Sequence, residues 1–315
     1  MRALVTGAGG FVGANLVEEL AAEGHDVVAW VRPGSDNWRL DHLNGDVEIA
    51  DVDLLEPDAI HAGVQHAKPD WVFHLAAHGA YSWQRDPEII MQTNLVAAVH
   101  LLSACQAQGF EAFINAGSSS EYGSKDHAPL ESELPEPNSD YAVMKAATTL
   151  HGRFVARRDD VHVVTLRLYS VFGPWEQPGR LMPTLVAKGL KGELPPLVSP
   201  DTPRDFISVA DANRAFLAAA RHTDLERGSV LNIGSGRETK LREVVDVARA
   251  ELAIEAEPQW GTEPQRHWDT SVWVSDPTVA RERLGWSAQD DLATGFKALA
   301  DWMRGHPKVH DRFGL

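Results

Sequence analysis

Apolar residues follow two alternating rhythms through the first half of the chain. Short unbroken runs (Ala3-Leu4-Val5, Asp26 to Val31, Trp71 to Leu75, Ala112 to Ala116 and Val161 to Leu168) have the length and composition of strands buried on both faces. Between them lie longer stretches with helical periodicity. These are Phe11 to Glu23, stopped by Gly24; Glu88 to Gln108, stopped by Gly109; and Ala142 to Arg157. Strands alternating with helices pair in parallel through right-handed crossovers. The pattern predicts an α/β protein with a doubly wound parallel sheet, covered on both faces, whose ligand crevice opens at the carboxyl ends of its strands.

The rhythm breaks after Gly173-Pro174. Residues 173–205 are rich in Pro and Gly, with one short helical piece at Leu181 to Leu190. Periodicity resumes at Phe206 to Val209, in a helix Asp211 to Arg221 and a strand Ser229 to Ile233. Residues 237–315 then read as short helices with aromatic residues. The expectation is a smaller, interrupted lobe packed over the sheet. There is no internal repeat.

Of the 315 residues 43% are hydrophobic and 23% charged, which excludes a disordered acidic tail and provides for a sizeable core. The net charge of −16 repels phosphate backbones and anionic lipid, so no nucleic-acid or membrane-surface role is expected. An anionic substrate would instead need basic residues gathered in one cleft. Cys105 is the only cysteine, which rules out an internal disulfide framework and fits a reducing cytoplasm. Met1 to Val5 run straight into a glycine-rich turn without a leader-like apolar region, and no stretch reads as long enough to span a bilayer. The histidines show no ligand spacing, so no metal is expected.

Candidate chemistry starts at Thr6-Gly7-Ala8-Gly9-Gly10-Phe11-Val12-Gly13, between a strand and a helix. The spacing G-x-x-G-x-x-G lets the backbone turn sharply and approach a pyrophosphate at a helix N-terminus. The second strand ends Val31-Arg32-Pro33-Gly34-Ser35, where an NAD site usually has an acid for the ribose 2′-hydroxyl. Arg32, assisted by Ser35, suits a 2′-phosphate, so NADP(H) is favoured over NAD(H). Asp53, followed by Leu54, stands where the adenine amino group could be held. Farther on come Ser118-Ser119-Ser120-Glu121-Tyr122-Gly123 and then Tyr141 and Lys145, four apart on one helix face. An ammonium beside a phenol is expected to lower the pKa of Tyr141 and make it a general acid or base for a carbinol proton.

With these motifs the chain resembles, nearly end to end, the extended short-chain dehydrogenase/reductase family of nucleotide-sugar epimerases, dehydratases and reductases. The likeness takes in Thr6 to Gly13, His74-Leu75-Ala76-Ala77, Asn94, the serine loop, Tyr141/Lys145 and Arg167-Leu168-Tyr169-Ser170-Val171-Phe172-Gly173-Pro174. It continues in Arg204-Asp205-Phe206, Asn232 to Gly236 and Leu284-Gly285-Trp286. It implies a Rossmann-type NAD(P)-binding domain over 1–172 plus about 206–236, and a substrate lobe over about 173–205 plus 237–315. It implies that Tyr141 exchanges the proton of a sugar hydroxyl, that Lys145 binds nicotinamide ribose, and that Ser118 or Ser119 hydrogen-bonds the same sugar oxygen. Gly7, Gly10, Phe11, Val12, Gly13, Leu54, Leu75, Ala76, Ala77 and Asn94 would lie on the cofactor side. Ser119, Ser120, Ser170, Arg180, Leu181, Arg204 and Arg266 would lie on the substrate side, Arg180 and Leu181 in the segment that corresponds to the nucleotide-base loop, Arg204 and Arg266 clamping the diphosphate. Tyr81, Trp83 and Trp175 are candidate walls of the sugar pocket.

The resemblance also bears on the reaction. A dehydratase of this family carries a glutamate two residues before the Tyr-Gly pair, and Ser120 occupies that place here. A hydroxyl is not a base near neutral pH, so dehydration is disfavoured unless a shift by one residue brings Glu121 into position. The end of the second strand favours NADPH, and so an NADPH-dependent reductase of a nucleoside-diphosphate-4-keto-6-deoxyhexose; the serine loop also looks like those of CDP-abequose and CDP-paratose synthases. The alternative is a nucleotide-sugar 4-epimerase with tightly held NAD. An inactive NADP-sensing protein is disfavoured because Tyr141 and Lys145 are both present. A homodimer built from helices Glu88–Gln108 and Ala142–Arg157 is the family expectation.

Overall fold

The computed structural model describes residues 1–43, 45–263 and 271–315. The first strand, β1 (Arg2–Thr6), is buried from Ala3 onward, and its side chains alternate between two apolar layers: Ala3 and Val5 join one, Leu4 the other. A strand apolar at every position needs such a double cover. There follow α1 (Phe11–Ala22), β2 (Asp26–Val31), β3 (Glu48–Asp51), α2 (Pro57–Ala67), β4 (Trp71–His74), α3 (Pro87–Met91), α4 (Ala97–Gln108), β5 (Ala112–Ser118), α5 (Asp140–Asp159) and β6 (Val163–Leu168). The rest comprises β7 (Ser170–Phe172), α6 (Leu181–Gly189), β8 (Pro203–Arg204), β9 (Phe206–Ser208), α7 (Val209–Arg221), β10 (Val230–Ile233), β11 (Thr239–Lys240), α8 (Leu241–Leu252), α9 (Thr278–Leu284), α10 (Leu292–Gly305) and α11 (His310–Phe313).

Seven strands form one parallel sheet in the order β3-β2-β1-β4-β5-β6-β10. The winding reverses between β1 and β4, which opens a crevice at their carboxyl ends. One apolar layer takes α1, α7 and α9 against the sheet; the other takes α2, α4 and α5. A third cluster joins α6, α8 and α10 through Leu185, Val186, Val244, Val245, Phe296 and Leu299, beside the short ribbons β7–β9 and β8–β11.

Two buried carboxylates tie the later segments together. Asp205 accepts the backbone N–H groups of Ser235 (2.7 Å), Gly236 (3.1 Å) and Ser275 (2.9 Å). Asp211 accepts those of Gln289 (2.8 Å) and Asp290 (3.0 Å), while its carbonyl receives the Trp286 indole at 3.1 Å. Arg204-Asp205-Phe206, Ser235-Gly236 and Leu284-Gly285-Trp286, far apart in sequence, are thus held by the same two aspartates, the last through a main-chain carbonyl.

The predicted helix Glu88–Gln108 forms with one interruption. α3 and α4 are joined by a π turn at Gln92–Val96, which inserts a residue around the buried Asn94. By length and composition Pro87–Gln108 is apolar enough to cross a membrane, which corrects the expectation that no stretch is. In the fold its Leu101, Leu102 and Cys105 lie in the layer between α2 and the sheet. Helix α5 exceeds its predicted Ala142–Arg157 at both ends, because the Ser139 hydroxyl caps the Ala142 N–H at 3.2 Å and the chain leaves the helix at Asp160 with φ +53°.

Candidate active site

The glycine turn closes at the end of β1. Gly7 has φ +68°, and a Cβ there would sit 2.7 Å from the Ala76 nitrogen. Gly10 donates its N–H to the Gly7 carbonyl at 2.9 Å, and a Cβ on Gly13 would overlap that same carbonyl oxygen. Each motif glycine thus answers to a backbone approach, and α1 begins at Phe11 with no side chain capping its first N–H groups. The residues fit a dinucleotide pyrophosphate. Leu75 and Ala76 line the opposite wall at the end of β4, with Ala77 exposed beyond them. Asn94 accepts the His78 N–H at 2.8 Å and donates to the His78 carbonyl at 2.7 Å, so its amide braces this loop.

At the end of β2, Arg32 is exposed, and its guanidinium makes no hydrogen bond or ion pair with any described residue. Ser35 instead turns back, donating to the Arg32 carbonyl at 2.6 Å and contacting Asn37 Oδ1 at 2.9 Å. Asp53 caps its own turn through Leu55 N–H at 2.9 Å, and Leu54 packs on the apolar layer under α2.

Ser118 closes β5, and its hydroxyl lies close enough to the Tyr141 phenol to lower its pKa. The hydroxyls of Ser118 and Ser120 are 2.5 Å apart, and Ser119 is buried beside them. Lys145, one turn after Tyr141 on α5, donates from Nζ to the Ala116 carbonyl at 2.8 Å. The expected lowering of the Tyr141 pKa is not found. Desolvation pushes the phenol up to about 12, although the nearby Ser118 hydroxyl lowers it, and the charge of Glu121 acts in the same upward direction as burial. Lys145 lies 5.9 Å from the Tyr141 ring centre, turned to a backbone carbonyl, and burial pushes its own ammonium down to about 8.

Glu121 is locked away from this chemistry. Its Oε2 accepts Arg167 Nε at 2.8 Å and its Oε1 accepts the Ser118 N–H at 2.9 Å; the two charged side chains are 0% and 3% exposed. It anchors the serine loop and has no free face to offer a substrate proton.

On the far side of the crevice, Arg180 Nε stands 3.8 Å from Glu176 Oε1, and its guanidinium lies 5.9 Å over the Tyr81 ring. Both Arg180 and Tyr81 act electrostatically on the Tyr141 phenol, so this loop and the serine loop share one space. Tyr81 stacks on Trp83 at 4.7 Å. Trp175 does not wall the pocket: it stacks on His42 at 5.0 Å and packs against Trp38, Trp302 and His306. Leu181 begins α6, and Ser170 N–H is held by the Asp205 carbonyl at 2.9 Å. The Arg204 guanidinium lies 5.4 Å over the Trp273 ring. Arg266 lies outside the described residues.

Sequence reasoning passed over Glu176 and Arg39. Arg39 is buried and donates to the Gly9, Trp175 and Gln177 oxygens, joining the glycine turn to the loop after β7. Neither residue falls in a spacing pattern; only the tertiary approach of two loops reveals them. Among the described residues no cluster suits a metal ion.

A glycine turn shaped for a pyrophosphate, facing a Ser-Tyr-Lys group across one crevice, defines an NAD(P)-dependent enzyme of the extended short-chain dehydrogenase/reductase class. The sequence model of the NAD dependent epimerase/dehydratase family matches residues 3–234, and the chain belongs to that family, whose members act on nucleotide sugars as epimerases, reductases and dehydratases. It is 30% identical to a UDP-glucose 4-epimerase of Mycolicibacterium smegmatis, over 96% of this chain and 99% of that one. It is also 30% identical to a GDP-6-deoxy-D-mannose reductase of Pseudomonas aeruginosa, over 96% of this chain and 97% of that one. The crystal structure of UDP-glucose 4-epimerase with UDP-glucose from Thermotoga maritima superposes with a TM-score of 0.87 at 26% identity, covering 97% of this chain and 99% of that one.

Proposed function

We propose that the chain catalyses oxidation–reduction at C4 of a nucleoside-diphosphate hexose, with Tyr141 as the acid–base group, Ser118 holding the same sugar oxygen and Lys145 on the cofactor side. Bound NAD(P) supplies the hydride chemistry. Tyr141 gives or takes the proton of the C4 oxygen, and the Ser118 hydroxyl beside the phenol orients that oxygen. Gly7, Gly10 and Gly13 admit the pyrophosphate; Arg180 and Arg204, with Arg266, serve the nucleotide-sugar side. The 173–205 and 237–315 segments form the substrate lobe in this reading, and the sheet with 206–236 forms the cofactor domain. The observation that carries it is the grouping of Tyr141 with Ser118, whose hydroxyl acts on the phenol, and with Lys145 one turn along α5, across the crevice from the glycine turn.

The preferred reaction is NADPH-dependent reduction of a 4-keto-6-deoxyhexose. Supporting it are an unpaired Arg32 with no carboxylate at the end of β2, and the likeness to a GDP-6-deoxy-D-mannose reductase. The second reading, 4-epimerisation with retained NAD, draws on the likeness to UDP-glucose 4-epimerases. Dehydration lacks a base, because Ser120 stands in its place and Glu121 is paired with Arg167. The nucleotide that copurifies separates the two: tightly held NAD supports epimerisation, whereas a site that turns over added NADPH with a 4-keto sugar supports reduction. Tyr141→Phe is expected to abolish turnover while leaving NAD(P) affinity within about twofold; unchanged turnover would remove the acid–base assignment. The exposed Ile89, Met91, Val143, Leu150 and Phe154 on α3 and α5 support a homodimer through these helices. The single, buried Cys105 accords with a cytoplasmic setting.

A further inference from the structure

Glu176 is a buried acid that the chemistry above leaves unused. It is 5% exposed, and its Oε2 has no hydrogen-bond partner. Buried polar oxygens are ordinarily satisfied, so one left bare by the chain calls for a partner from outside it. The loop that carries it is held firmly. Asn15 Nδ2 donates to the Pro174 carbonyl at 2.9 Å, Arg39 Nε to the Trp175 carbonyl at 2.7 Å, and Arg39 Nη2 to Gln177 Oε1 at 3.0 Å. Trp175 is held at φ +65°, a conformation costly for an aromatic residue. The other carboxyl oxygen of Glu176 lies 3.8 Å from Arg180 Nε, the Arg180 guanidinium lies 5.9 Å over the Tyr81 ring, and both side chains are near enough to the Tyr141 phenol to act on it electrostatically.

We propose that Glu176 and Arg180 together receive the C3 and C2 hydroxyls of the hexose, so that this site selects a sugar carrying a C3 hydroxyl over its 3-deoxy counterpart. The inference rests on the reading that Tyr141 meets the C4 oxygen. With C4 at the phenol, and C6 deoxygenated in the preferred substrate, the ring hydroxyls left to recognise are those at C3 and C2. A carboxyl oxygen accepts from one hydroxyl and a guanidinium donates to its neighbour, which is the complement of a vicinal diol. Burial also pushes the Glu176 carboxyl up to about 8, so the group can either donate or accept toward a hydroxyl. A site built to bond a hydroxyl rejects the analogue that lacks it, because its own buried group is then left bare.

Calorimetry on the full chain tests this with UDP, dTDP, GDP and CDP. The tightest binder is then followed as its glucose and 3-deoxyglucose esters. The wild type is expected to bind the glucose ester about 10- to 100-fold more tightly than the 3-deoxy ester. Glu176→Ala should bind the two esters within about threefold of each other and leave the affinity for the free nucleotide unchanged. Glu176→Gln, which keeps an acceptor and a donor, should restore most of the discrimination. Discrimination that persists in Glu176→Ala, or free-nucleotide affinity that falls along with it, overturns the proposal. If Tyr141→Phe abolishes turnover while Glu176→Ala still discriminates, only this inference fails. If the wild type shows no Tyr141-dependent turnover, the reading beneath it fails as well.

Discussion

Replacing Glu121 separates a structural anchor from a hidden catalytic base. Glu121→Ala leaves the Arg167 guanidinium, 3% exposed, without its counter-charge and removes the acceptor for the Ser118 N–H. Breaking a buried pair from one side costs about 3–5 kcal/mol. For a chain of this size that is a fall in melting temperature of roughly 5–10 °C. Glu121→Gln keeps an oxygen for Ser118 and loses only the charge, so its fall should be smaller. The double replacement Glu121→Leu with Arg167→Leu removes both charges and should cost less than Glu121→Ala alone, since no buried ion is then stranded. Scanning calorimetry gives the stabilities, and product analysis gives the reaction. Glu121→Gln should form the same product as wild type with turnover reduced less than about tenfold. A fully stable yet inactive Glu121→Gln, or a Glu121→Ala that melts within 2 °C of wild type by the same scale, would refute the anchoring argument.

The remaining predictions concern the cofactor side. Burial disfavours the Lys145 ammonium, so the folded chain binds that proton less tightly than the unfolded chain. The resulting penalty is fully present below pH about 8 and fades as the pH climbs toward the ordinary lysine value of 10.5. Lys145→Met should therefore melt a few degrees above wild type at pH 7, from a penalty of about 3 kcal/mol less the lost bond to Ala116, and the gap should close by pH about 10; turnover should drop at least a hundredfold. A melting point below wild type at pH 7 would contradict this. Arg32→Ala should raise the KM for NADPH about 10- to 100-fold and leave that for NADH nearly unchanged, as measured by initial rates; equal effects on both would remove Arg32 from the 2′-phosphate site. Gly13→Ala forces a methyl group onto the Gly7 carbonyl, so fluorescence titration should find NAD(P) binding lost; retained affinity would show that the turn can relax.

Local rules carried the reading where they act alone. The β1 and β2 runs, the glycine turn and the α1 boundary are short-range patterns, and the structure places them within a residue or so of expectation. The π turn at Gln92–Val96 escaped because an inserted residue leaves a helix apolar on average; what betrays it is the polar Asn94 placed where the core needs an apolar side chain. Likewise Tyr141 and Lys145 were visible as a spacing, but the direction of the phenol shift was not, since it depends on desolvation and on Glu121 across the loop. Trp175 read as a pocket wall because it follows Gly-Pro; its left-handed backbone turns the ring outward onto His42. Glu176 carried no motif at all, and became visible only as an oxygen with no partner.

The long helix has different packing partners on the two sides of its surplus residue. Ahead of the π turn, α3 lies against α5 and sends Ile90 under Gly79; behind it, α4 lies against α2 and sends Leu101 and Cys105 into the sheet cover. A π turn confines one surplus residue to a single wide turn, so deleting one residue between Gln92 and Val96 would restore a continuous α-helix with both flanks in place and draw Asn94 from its two bonds to the His78 backbone. What the surplus residue supplies is therefore a brace for the loop after β4, and the flanking helices would outlast its loss.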